Sequence, residues 1–205
     1  MAKRRPNFNQ AVKALIRDVA KQLPEFSQIK ASRILVVAGE ARRASRGTIK
    51  PLMSHPAAGR RKPIVKIRDR RMLYCITLRP LFFRSSTAQA RIGTILHELF
   101  HISPRFDGTL DEERRHEIVG RGFGAKLRPL IRRYLRLCPP ELVAAFAHDG
   151  KVRVYQWLER PSASLGRGKP GARRLYTEAQ LFLGPVRMIT RSTRPQRAKL
   201  LIPLP

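Results

Sequence analysis

Apolar residues at three- and four-residue steps mark two helices with different surroundings. Phe8, Val12, Leu15, Ile16, Val19 and Leu23 form one stripe with polar and basic residues opposite. Asn7 or Asn9 stands where an N-cap is needed, and Pro24 follows the end. The spacing predicts an amphipathic helix packed by one face. From Thr87 to Ile102 the pattern changes. Ile92, Ile95, Leu96, Leu99, Phe100 and Ile102 leave little polar circumference, which predicts a buried central helix. Ser86-Thr87-Ala88-Gln89 offers a capping box before it, and Pro104 stops it.

Shorter apolar runs predict strands: Arg33 to Ala38, Pro63 to Ile67 and Met72 to Leu78. Arg68-Asp69-Arg70-Arg71 suits a tight hairpin turn between the last two. Gly39 to Gly59 is loop-like, with room for a short strand near Ile49. A second helix is expected from Thr109, then a basic amphipathic segment over Lys126 to Leu137 interrupted by Pro129, then a short helix over Glu141 to His148. After Lys151, VRVYQWLER and ARRLYTEAQLFL predict two more strands, joined by a Gly/Ser/Pro-rich loop. The class is α+β, a small antiparallel sheet packed on the central helix and its neighbours. Residues 1–150 form the main domain, with 1–7 a basic arm. Residues 151–205 form a basic β-hairpin appendage with an extended tail.

The central helix carries three polar exceptions, His97, Glu98 and His101. Burying them without partners would be costly. They spell H-E-x-x-H, and positions i and i+4 on a helix face the same way, about 6 Å apart. Two imidazoles so placed can share one zinc ion, with Glu98 beside them to handle protons. A catalytic zinc takes a third protein ligand. His116, fifteen positions past His101, supplies a neutral imidazole. Asp107 is its rival, six positions past His101, where metzincins place their third ligand. That pattern has a glycine where this chain has Pro104. Glu112, Glu113 and Glu117 are further alternatives. Together with Asp107 and Asp111 they are five of the chain's 14 acids. They serve either a helix N-terminus, through its dipole, or the support of a cation.

Composition narrows the class. A chain of 205 residues with 42% hydrophobic content can bury a core. Two cysteines, Cys75 and Cys138, far apart, support neither a disulfide framework nor a thiolate zinc knuckle. The N-terminus lacks a secretory apolar region and no run approaches membrane-spanning length, so a cytoplasmic protein is expected. Forty-three basic against 14 acidic residues give a net charge of +29, which attracts polyanions. Spread over the whole chain, without an aromatic-spaced RNA motif, this charge suits non-specific nucleic-acid contact rather than base readout. Tyr155, Trp157 and Tyr176, among these charges, are expected to pack the C-terminal hairpin. Oligomeric state is not legible.

The string HELFHISPRFDGTLDEERRH, with a hairpin upstream, resembles the SprT-like and phage-type zinc metallopeptidases. The likeness covers about residues 30–135 and is specific over 93–116. It implies a minigluzincin-like fold, Zn2+ as cofactor and a protein or peptide substrate. It carries over His97, His101 and His116 as metal ligands, and Glu98 as the catalytic carboxylate. SprT-like proteins often place glycine beside the third histidine and add a Cys-rich zinc ribbon. Here Arg115 and Glu117 flank His116, and two cysteines cannot build a ribbon. The resemblance therefore implies the catalytic module alone.

Overall fold

The structure is a computed structural model that describes residues 5–41, 45–52, 63–114, 121–161 and 174–190. The first helix, α1 (Phe8–Gln22), starts at Asn7, whose side chain accepts from the Gln10 N–H. It buries the expected stripe, Phe8 through Val19. The strands follow as β1 (Ile34–Ala38), β2 (Gly47–Pro51), β3 (Ile64–Ile67), β4 (Arg70–Arg71) and β5 (Tyr74–Leu78). Next come a short α2 (Pro80–Phe83) and the central α3 (Ala88–Phe100). Then α4 (Arg121–Leu137), α5 (Pro140–Ala147), β6 (Gly150–Trp157), β7 (Leu175–Tyr176) and β8 (Leu181–Met188) complete the order.

Five strands form one sheet in the order β2-β5-β1-β6-β8. The antiparallel sheet expected from the sequence is in fact mixed: β1 runs parallel to both β5 and β6, while β2/β5 and β6/β8 are antiparallel. The reason lies in β1. Ile34, Leu35, Val36 and Val37 are all buried, so this strand is covered on both faces, as a central parallel strand must be. On one face α1 and α3 pack around Ile34 and Val36. On the other, Leu35, Val37 and Cys75 lie under Met72 and under Val65 and Tyr176 of a small sheet ordered β4-β3-β7.

The hairpin over residues 63–78 forms only in part. Arg68 and Asp69 both take positive φ, 48° and 58°, the conformation of a two-residue hairpin turn. The returning strand, however, pairs for two residues and then leaves to join β1. A hairpin does follow Lys151, but its second strand is β8, which starts only at the end of the expected ARRLYTEAQLFL run, and it extends the main sheet instead of standing apart. Its Val152, Val154 and Met188 belong to the same core as Phe8. Pro129 lies inside α4 on the exposed side, and the helix spans it without ending there.

Two buried polar side chains join these pieces. Asn9 sits between β1 and β6, donating to the Val36 carbonyl and accepting from the Tyr155 N–H at 2.7 Å. Arg91 on α3 is fully buried. It donates to the carbonyls of Phe82, Phe83, Phe146 and Ile189 and to the Thr190 hydroxyl, at 2.6–3.2 Å. Among the described residues, no helix is long and apolar enough to cross a membrane.

Candidate metal centre

Helix α3 starts one residue later than the capping box suggests. Thr87 is the cap, accepting from the Ala90 N–H at 3.1 Å, while the Ser86 hydroxyl donates back to the Leu81 carbonyl. The helix is buried along Ile92, Ile95, Leu96 and Leu99, and this burial fixes the rotation that turns His97 and His101 the same way.

The two rings face each other, Nε2 to Nε2, at 3.3 Å. Two nitrogens each bonded to a tetrahedral zinc at ~2.0–2.1 Å stand about 3.3–3.4 Å apart, so the pair already has the spacing of two zinc ligands. His101 is also oriented from behind. Its Nδ1 lies 3.0 Å from the Arg114 carbonyl. A carbonyl can only accept, so the proton sits on Nδ1 and the Nε2 lone pair points forward, the arrangement typical of metal-bound histidine.

The carbonyl is delivered by a return of the chain. After His101, residues 103–109 make a loop closed by an Ile102–Leu110 bridge and by the Asp111 N–H on the His101 carbonyl. Tyr74 braces the loop from β5, its hydroxyl accepting from Gly108 N–H and donating to the Thr109 carbonyl, both at 2.9 Å. Arg114 then clasps the end of α3, donating to the Phe100 carbonyl, lying over the Phe100 ring at 4.3 Å and pairing with Asp111.

Glu98, which lines the same cavity as His97, reaches β2 of the sheet. It is 5% exposed, and the Ile49 N–H of β2 donates to its carboxylate. Burial pushes its pKa up to about 7, against the pull of that hydrogen bond and of Arg79. Gly47 makes the close approach feasible: a Cβ there would come within 3.1 Å of both Glu98 Oε1 and Thr94 Cγ2. His97 and Glu98 share a cavity of about 370 Å³ with Arg46, Gly47, Thr94 and Ile131. A carboxyl that titrates near neutrality can take up and release a proton in turn.

Phe123 packs against both histidines. Its ring stacks on His101 at 4.9 Å and meets His97 edge-on at 5.0 Å. The segment expected from the sequence begins only at Lys126, so it leaves Phe123 out. The signal was there: Phe123, Leu127, Ile131 and Tyr134 recur at three- and four-residue steps along α4. Asp107 stands at the exposed tip of the loop, with Oδ1 accepting from the Thr109 N–H and hydroxyl. Asp111 accepts from the Glu113 N–H in a short helical turn, Glu112–Arg114. His116 and Glu117 lie outside the described residues. Among the described residues, no third His, Cys, Asp or Glu converges with the His97–His101 pair.

No family model, curated protein or solved structure matches this chain. The functional reading therefore rests on the chemistry of these side chains.

Proposed function

We propose that the chain is a zinc-dependent metallopeptidase of compact gluzincin type. The observation that carries this reading is the His97–His101 pair, with Nε2 atoms 3.3 Å apart and the outer nitrogen of His101 held by a carbonyl. Zinc would be held by His97, His101 and a third ligand, and would supply Lewis acidity toward a peptide carbonyl and its attacking water. His116 is the favoured third ligand. It follows by two residues the carbonyl that touches His101, and two residues span at most ~7 Å. Asp107, engaged with Thr109 at the loop tip, is the weaker choice.

Glu98 is the general base. It accepts the proton of the attacking water and returns it to the leaving amine. The Ile49 N–H holds its carboxylate beside the cavity. Strand β2 is the outermost of the described strands on that side, and an extended peptide can run along such an edge.

A second reading is favoured by α4, which exposes Lys126, Arg128, Arg132 and Arg136. These would give non-specific nucleic-acid contact, with the metal site structural. Cleavage of unfolded casein separates the two. The peptidase reading expects cleavage that chelation abolishes and added zinc restores. It expects Glu98→Gln to keep its zinc and lose at least about 100-fold in rate. Undiminished metal-dependent cleavage by Glu98→Gln would refute Glu98 as the base. Salt-sensitive DNA binding that survives chelation, with no cleavage at all, would favour the second reading.

A further inference from the structure

The sheet has a second concave site, remote in sequence from the histidines. Adjacent parallel strands β1 and β6 meet at their carboxyl ends, where Ala38 is in register with Gln156. From β1 the chain leaves toward β2 and β5; from β6 it leaves toward β8. Exits that diverge from neighbouring parallel strands leave a crevice between them, and such crevices are where sheets of this kind bind ligands.

A cavity of about 620 Å³ opens at this place. That is within the size range of small-molecule sites. At its lip Gly39 packs closely on the sheet: a Cβ there would come within 2.4 Å of Thr77 Cγ2 and displace that side chain. Arg84, Arg160 and Arg187 converge on the cavity from three separate elements, with Glu40, Gln156 and Trp157. Arg84, Arg160 and Arg187 are exposed, and among the described residues none has a carboxylate within ion-pair distance. Trp157 is half-buried and braced edge-on by Tyr176 at 6.2 Å.

We infer that this crevice binds a nucleoside phosphate, the phosphate on the three guanidiniums and the flat base against Trp157. Guanidinium forks match phosphate oxygens. An indole beside arginine offers a stacking surface for any base. Glu40 and the Gln156 amide supply an acceptor and a donor for ribose hydroxyls or base amines. The source is either a free nucleotide or the terminal nucleotide of a strand, and the chemistry is the same.

Trp157 is the chain's one tryptophan, so its fluorescence reports the site directly. Titrating the full chain with AMP should quench it saturably. The double variant Arg84→Ala/Arg160→Ala should weaken binding by about tenfold or more, while Lys21→Ala at the exposed end of α1 should leave it unchanged. Calorimetry on Trp157→Phe gives an independent reading, expected several-fold weaker. A 5′-phosphorylated single strand with the same arginine dependence would support the site and assign it to strand ends. Absence of saturable quenching, equal affinity in the arginine variant, or inorganic phosphate competing as well as AMP would overturn the inference.

Discussion

Helical spacing turns the His97 and His101 rings toward each other, and packing sets the groups behind them. His97, Glu98 and His101 stood out because helical geometry alone puts the two rings on one face. Tyr74 looked like one more apolar strand position, yet its hydroxyl holds the loop that brings Arg114 to His101. Burial pushes the Tyr74 hydroxyl up from 10.0 to about 12, and the Cys75 thiol, in the core on the other face of the sheet, from 9.0 to about 11. In both cases the folded state holds its proton longer than the unfolded chain. Their stabilising effect is therefore complete below about pH 9 and lost as pH rises through 11 and 12. Each shift of about two units corresponds to at most about 3 kcal/mol. Denaturant unfolding should show stability falling across this window, with a shallower fall in Tyr74→Phe. An identical slope in the variant would contradict the assignment.

At the level of elements, the periodicities of α1 and α3 located both helices within a residue or two. Their joints were hidden. Arg91 is one of 43 basic residues and looks like another surface charge. In the fold it is the pin that ties α3 to α2, α5 and the end of β8, with carbonyls from each around one guanidinium. No sequence period announces such a role, because the acceptors are backbone atoms from segments up to 98 positions away. Arg91→Ala leaves those carbonyls buried and unsatisfied, and should cost about 3–5 kcal/mol of stability. Arg91→Lys should recover little, since an ammonium cannot span the same acceptors. Thermal unfolding checks both, and a loss under about 0.5 kcal/mol in Arg91→Ala would rule out the pin.

At the level of the molecule, the α+β class was legible but the sheet was not. Short apolar runs say that strands exist, not which strands pair. β1 gave a hint in its unbroken apolar run, since a strand buried on both faces needs cover on both. The same limit made the last two strands look like an appendage, although β6 lies beside β1 and carries part of the main core. The mixed sheet bears on both proposals. Its β2 edge sits against Glu98, and its parallel centre opens the arginine-lined crevice. Native mass spectrometry of the purified full chain tests most directly whether α3 presents a metal-binding pair. One zinc per chain should be bound, retained in Glu98→Gln and lost in His101→Ala. A chain that binds no zinc, or whose zinc survives His101→Ala, would contradict the account.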